Sequence, residues 1–368
     1  MDDHLDSEAA QTMDRKVQHI EIVAKRRTQY VGKTTLFECV EVLPKGGALE
    51  SSDVTLNTEY LSKGIDAPIA ISGMTGGHDA LFKINKNIGE AARRLNIPMG
   101  VGSQRAMIEN PRLAYTYDVK KATGSNDMLL IGNIGASKLV VYENERISKA
   151  LEAISADAIA VHTNPGQESV QPEGDIDFRG AYERICELAK GIDEPVILKE
   201  VGNGISKDVA MRFRNKIYAI DVQGAGGTTW IGIETYRSKS KEGLVFWDWG
   251  IQTALSTIEV LSAFNGPVIS SGGIRSSTDI LKGIALGAQL CSMAEPVLKA
   301  ELHNGAKGVY DYIEALEEGL RSRMAELGFS NVDELRKARV LIREPLASIL
   351  RQRRVKLNPM HRSVYGRA

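Results

Sequence analysis

A (β/α)8 barrel, an α/β fold of the TIM type, is what this sequence predicts, and three observations carry the prediction. Eight short apolar runs, rich in Ile and Val, recur between residues 67 and 292. Amphipathic segments separate them. Neither the runs nor their neighbours alternate strictly between apolar and polar, as expected for parallel strands covered on both faces. The runs are 67–73, 99–102, 128–133, 157–162, 196–199, 217–221, 268–271 and 289–292. Pro68, Pro98, Pro195 and Pro267 stand at strand starts, where a missing N–H is tolerated. Helical patterns cover 79–95, 143–154, 179–190, 206–214, 253–264 and 276–286. Strand–helix units in series favour a closed barrel over a doubly wound open sheet.

Such a barrel takes roughly 250 residues, which leaves both ends of this 368-residue chain to be assigned. Residues 1–66 read as an N-terminal extension, 67–302 as the barrel, and 303–368 as helices packed outside it, all in a single domain. Residues 307–327 have a helical period, and Asn331-Val332-Asp333 reads as a helix start. The stretch 351–367 is basic and reads as a solvated tail.

Composition narrows the class. The chain is 43% hydrophobic and 25% charged, with a formal net charge of -1, so no global field draws nucleic acid or a membrane surface to it. Cys39, Cys186 and Cys291 are scattered and show no metal-ligand spacing, which suggests free thiols in a reducing cytoplasm. The acidic start Met1-Asp2-Asp3 lacks the apolar segment of a signal peptide, and no stretch approaches the roughly 18 apolar residues of a membrane span.

In a barrel the C-terminal strand ends share one rim, so groups distant in sequence converge there. Here those ends are Gly73-Met74-Thr75-Gly76-Gly77, Gly102-Ser103-Gln104-Arg105, Asn133, His162-Thr163-Asn164, Lys199-Glu200, Gly224-Ala225-Gly226-Gly227-Thr228, Gly272-Gly273-Ile274-Arg275 and Met293-Ala294-Glu295. The three glycine clusters let backbone amides wrap an anion, and Thr228, Gly273 and Arg275 read as a phosphate grip. Lys199 is open to three readings: a Schiff base, a structural pair with Glu200, or a cation beside an electron-rich ring such as a flavin. Beyond strand four, Pro165-Gly166-Gln167-Glu168 adds an amide and a carboxylate. One carboxylate among cations suits Mg²⁺ on a diphosphate, since Mg²⁺ takes one or two carboxylates and fills its octahedron with phosphate oxygens and water. Arg15, Lys16 and His19 would join Arg105 around that anion if the extension folds over the rim.

Taken together these segments resemble the flavin-dependent (type II) isopentenyl-diphosphate isomerase family. The resemblance spans about residues 14–300 and rests on Arg15-Lys16 with His19, Met74-Thr75-Gly76-Gly77, Gly100-Val101-Gly102-Ser103-Gln104-Arg105, His162-Thr163-Asn164-Pro165 with Gln167-Glu168, Lys199-Glu200, Gly226-Gly227-Thr228 and Gly272-Gly273-Ile274-Arg275. It implies FMN held by Met74, Thr75, Gly76, Ser103, Asn133, Lys199, Thr228, Gly273, Ile274, Arg275 and Ala294. It implies a substrate diphosphate on Arg15, Lys16, His19, Ser103, Gln104, Arg105, His162 and Asn164, Mg²⁺ on Glu168, and Gln167 beside the reacting carbons, with His162 and Gln167 as catalytic residues. Two positions depart from the family pattern: Gln223 stands where a small residue is expected, and Glu295 follows Ala294 where an apolar residue is commoner.

The implied reaction moves a double bond between isopentenyl and dimethylallyl diphosphate without net redox change. The rim offers few carbon acids or bases, and reduced FMN, prepared by NADPH or a similar donor, would supply the proton at N5. The rival is an FMN-dependent oxidoreductase on the same barrel, of the hydroxy-acid oxidase or dihydroorotate dehydrogenase type. That chemistry wants a rim His or Cys beside N5, and His162 and His78 are the only rim histidines. A homo-oligomer, tetramer or larger, is the expected assembly. The spatial expectation is that Lys199, Gln167 and Arg275 open onto one mouth.

Overall fold

A computed structural model describes residues 15–355. The acidic start and the end of the basic tail lie outside these residues.

Eight parallel strands close into a barrel. They are β1 (Ile69–Ile71), β2 (Met99–Gly100), β3 (Leu130–Gly135), β4 (Ala158–His162), β5 (Val196–Lys199), β6 (Ala219–Asp221), β7 (Val268–Ser271) and β8 (Leu290–Met293). Each coincides with an apolar run read from the sequence, trimmed or shifted by a few residues at its ends. β8 pairs with β1 and closes the ring. The rival open sheet is excluded.

The barrel interior changes character along its axis. Near the N-terminal ends Leu129, Ala158, Ala160, Ile197, Ala219, Ile269 and Leu290 form one apolar cluster, joined by Tyr60 and Ile65. Those two come from the hairpin Thr58–Tyr60 and Lys63–Ile65, which therefore plugs the barrel floor. Two residues further along the same inward rows, or four in the case of Asn133, the polar Asn133, His162, Lys199, Asp221, Ser271, Ser292 and Ser72 replace the aliphatics. Register fixes their adjacency: Gly135 lies opposite His162, His162 opposite Lys199, and Lys199 opposite Asp221. In parallel strands partners in register share a face, so imidazole, ammonium and carboxylate stand side by side at the top of the barrel.

Outside, Asp79–Arg94 packs on the long helix Glu295–Leu327, which is broken at Asn304 and Gly305 into two segments. The second segment is the pattern read over 307–327. Asn331 caps Val332–Arg336 by accepting from Glu334 N–H, as its position suggested. Val40–Val42 pairs antiparallel with Val340–Ile342, which ties the two flanking regions together beside the barrel.

The loops on the mouth side carry helices that the sequence reading passed over. Trp230–Ser238 is the largest of them, in the connection after β6. Ile231, Gly232, Ile233, Glu234 and Thr235 are buried in succession, so no apolar stripe marks it as amphipathic. Residues 15–25 are also helical. Lys16, His19, Ile20 and Val23 fall three or four apart on one face, and all four line the mouth.

Candidate active site

Two cavities adjoin at the barrel mouth, of about 830 Å³ and about 980 Å³ with their openings included. Lys16, His19, Met74, Val201 and Trp230 border both. The expectation of one undivided mouth is thus corrected: Gln167 and Lys199 line one chamber and Arg275 the other. The division arises because the helix at 15–25 lies across the rim. His19 packs edge-on against Trp230, with ring centroids 5.1 Å apart.

The first chamber is walled by Thr75, Thr228, Gly272, Gly273, Ile274, Arg275, Ala294 and Glu295. Its glycines are dictated by backbone contact. A Cβ on Gly227 would come within 2.3 Å of Gly273 N, and Gly273 itself has φ 73°. The loops after β6 and β7 therefore touch main chain to main chain, which leaves their amides bare toward the chamber. Thr75 Oγ1 is buried without a hydrogen-bond partner among the described residues. A buried hydroxyl so placed suits a polar ligand atom. These features fit a flat, phosphorylated ring system.

Glu295 intrudes on the phosphate grip. Its carboxylate takes Arg275 Nη2 at 2.6 Å, Lys299 Nζ at 2.5 Å, Gln29 Nε2 at 2.5 Å and Thr228 Oγ1 at 3.3 Å. Burial pushes its pKa up, but Lys299 and Arg275 outweigh that and hold it below the ordinary glutamate value. Gln223 points elsewhere. Its Nε2 donates to Ser72 Oγ at 2.8 Å and to both Asp221 oxygens at 3.2 Å, knitting the barrel top together. It does so with φ 39°, a backbone conformation that explains why a small residue was expected there.

The second chamber is cationic with a carboxylate at its edge. Lys16 Nζ donates to Gly76 O at 2.6 Å, Ser103 O at 3.0 Å and Tyr117 Oη at 2.9 Å. Burial, with Arg15 and Arg105 nearby, lowers its pKa to about 7. Arg105 donates to Glu109 at 2.7 Å, and Arg15 lies 3.6 Å from Glu173. His162 Nδ1 meets Asn133 Oδ1 at 2.7 Å. Burial, then Lys199, Lys16 and Arg15, bring its pKa down to about 3, so the ring is neutral. Burial likewise lowers the Lys199 pKa, against the pull of Asp221 and Glu200. Lys199 Nζ donates to the main-chain oxygen of Glu200 at 2.8 Å. The Glu200 carboxylate instead accepts from the amides of Val201, Gly202 and Asn203, so Lys199 does not pair with that carboxylate, and it lines the second chamber.

Asn164 reaches Glu168 Oε1 at 2.7 Å, and Asp175 N–H donates to Oε2 at 2.7 Å. Gln167 Nε2 donates to Glu234 Oε1 at 3.2 Å, and the same oxygen lies 2.8 Å from His19 Nε2. Glu234 is the residue that sequence reasoning missed. Its side chain is fully buried, and Arg237 Nε lies 2.7 Å from its other oxygen. Burial pushes Glu234 up, yet His19 and Arg237 keep it ionised. Tyr117 and Trp230 were also passed over. A lone acid within Trp230-Ile231-Gly232-Ile233-Glu234 was the one signal available.

Of the candidates, Gln104 is not brought in. It is 1% exposed, donates to Ala150 O at 3.0 Å and accepts from Asn133 N–H at 2.9 Å, which positions β3 rather than a ligand. Gly76 meets the site through its carbonyl on Lys16. Arg15, Lys16, His19, Ser103, Arg105, His162, Asn164, Gln167 and Glu168 all border the second chamber.

Comparison with known proteins bears on the family and the fold. The signature of the FMN-dependent dehydrogenase family matches residues 135–342. The chain is 42% identical over 343 residues to an isopentenyl-diphosphate delta-isomerase of Methanothermobacter thermautotrophicus, covering 92% of this chain and 96% of that protein. It is 41% identical over 363 residues to the protein of the same name from Pyrococcus furiosus, covering 94% and 91%. Among solved structures, a mandelate oxidase with an FMN adduct superposes with TM-score 0.61 at 20% identity, over 88% of this chain and 95% of that one. The flavin-binding domain of baker's yeast flavocytochrome b2 gives TM-score 0.61 at 17% identity, over 82% and 76%. At those identities the structures speak to the fold alone.

Proposed function

The chain belongs to the FMN-dependent dehydrogenase family and to the isopentenyl-diphosphate delta-isomerases, and from that premise we propose that it interconverts isopentenyl and dimethylallyl diphosphate with reduced FMN. The observation that carries this reading is the pair of adjoining chambers: one glycine-walled and fit for a phosphorylated ring, one cationic with a carboxylate at its edge. Bound and reduced, FMN supplies a proton at N5 and an electron-rich ring that faces a developing cation.

The protein's own groups do the rest. Met74, Thr75, Thr228, Gly273, Ile274, Arg275 and Ala294 would hold the flavin from the first chamber, with Gly76 behind them; Ser103, Asn133 and Lys199 line the second and would meet it only across the shared boundary at Met74 and Val201, where Lys199 would supply a cation. Arg15, Lys16, His19, Ser103, Arg105, His162 and Asn164 hold the diphosphate, and Glu168 brings Mg²⁺ to it. Gln104 acts only by supporting β3. Neutral His162 serves as a hydrogen-bonding group. Gln167, anchored by Glu234, orients or relays at the reacting carbons. Trp230 and His19 exclude water from a site that must shelter cationic character.

NADPH serves as the reductant and is not consumed per turnover. The protein works in the cytoplasm, where its unpaired cysteines stay reduced. As to organisation, the expected extension over the mouth is narrower than residues 1–66: the helix at 15–25 acts as the lid, the hairpin at 58–65 plugs the floor, and among the described residues 303–355 brace the barrel from outside. Exposed Leu244, Val245 and Trp249, each more than 60% accessible, support a homo-oligomer.

Anaerobic incubation with FMN, Mg²⁺, a reductant and isopentenyl diphosphate should yield dimethylallyl diphosphate. Stoichiometric NADPH oxidation coupled to product would instead favour the oxidoreductase.

A further inference from the structure

We propose that Glu295 is a resident competitor for the cofactor's terminal phosphate: its carboxylate lies at the anion position of the grip and must give way before a phosphate enters. This rests on the flavin reading above. The donors aimed at that position, Arg275, Lys299, Gln29 and Thr228, all end on this one side chain. It begins the helix Glu295–Leu327, directly after Ala294, where the unsatisfied amides of a first turn also favour an anion. Its side chain is 7% exposed, against 37% for Arg275.

The charge count is what makes the arrangement competitive. Arg275 and Lys299 supply two cations against one carboxylate. A phosphate monoester dianion added beside Glu295 leaves negative charge in excess, whereas without Glu295 the charges balance. The glycine walls leave little freedom, because Gly227 and Gly273 already meet main chain to main chain. Glu295 must therefore swing out, and it breaks two ion pairs in doing so. Like charges brought together on the same two cations repel each other. The advantage of FMN over the same flavin without its phosphate is correspondingly reduced in this protein.

The test titrates full-length apoprotein with FMN and with riboflavin, following quenching of flavin fluorescence. Glu295→Leu is expected to tighten FMN by about tenfold or more while changing riboflavin by less than about twofold. Glu295→Gln, which keeps the volume and removes the charge, should move FMN in the same direction, and circular dichroism checks that both variants fold. Equal changes for the two flavins, or none, would overturn the proposal. Selective loss of FMN would also overturn it and make Glu295 a residue that positions Arg275. Should unaltered protein bind neither flavin, the flavin reading fails and takes this one with it; if FMN binds well and the variants do not discriminate, only the competitor falls.

Discussion

Lys16 spreads its ammonium over three oxygens, yet burial and the neighbouring Arg15 and Arg105 bring its pKa to about 7. Near neutral pH the free protein is therefore a mixture of charged and uncharged Lys16, and a diphosphate favours the charged form. Binding of isopentenyl diphosphate at pH 7.5, about half a unit above that value, should take up protons. Calorimetry in two buffers of different ionisation enthalpy reads this directly. In Lys16→Gln the uptake should vanish and KM rise by about 10- to 100-fold, the range of a lost charged hydrogen bond. The same group links stability to pH. Between about 7 and 10.5 the unfolded chain binds the extra proton, so Lys16's contribution to stability rises with pH through that window. His162, with a pKa near 3 in the folded protein, stays neutral there through the usual histidine range, whereas the unfolded chain takes up that proton near 6.5, so its contribution to stability falls as pH drops below about 6.5. Glu168 carries a separate expectation. Glu168→Gln should lower kcat/KM at least about 100-fold and abolish the response to added Mg²⁺, measured as rate against Mg²⁺ concentration. A variant that still saturates with Mg²⁺ as before would remove Glu168 from the metal site.

At the level of elements, the glycine loops after β6 and β7 were legible in the sequence, because backbone-to-backbone packing tolerates no other residue. A Cβ on Gly227 has nowhere to go, with Gly273 N at 2.3 Å. Gly227→Ala should thus purify without flavin while retaining far-UV circular dichroism, with Tm lowered by about 1–3 °C if the loops part at a cost near 1–2 kcal/mol. Retention of bound FMN at unchanged absorbance would contradict it. The strands were equally legible, since apolar runs bounded by Pro and Gly leave little else. Trp230–Ser238 was not, because its burial on all sides erased the helical stripe. Glu234 was hidden for the same reason. Its role depends on His19 and Gln167 arriving from elements 215 and 67 residues earlier in the chain, a coincidence that no local pattern records. Gln104 misled for the converse reason: it sits in a functional motif but faces the strand beside it.

For the molecule as a whole, the barrel was readable because eight strand–helix units admit few other closures. The division of its mouth was not, because it depends on how the helix at 15–25 meets Trp230. Assembly is tested at this scale as well. Light scattering should report at least four copies of the 40.2 kDa chain. Replacing Leu244 and Val245 by Asp should dissociate it if that exposed patch is the contact; a monomer before substitution would discard the idea. The hairpin plug at the barrel floor has a different consequence. With the bottom sealed by Tyr60 and Ile65, traffic has only the top, and the helix at 15–25 roofs both chambers there. On the proposed function, a flavin in the first chamber and a diphosphate in the second share this exit, so a seated diphosphate works as a bolt on the door behind the pigment. Saturating substrate should slow the bleaching of the yellow protein during dialysis, an observation needing no turnover at all.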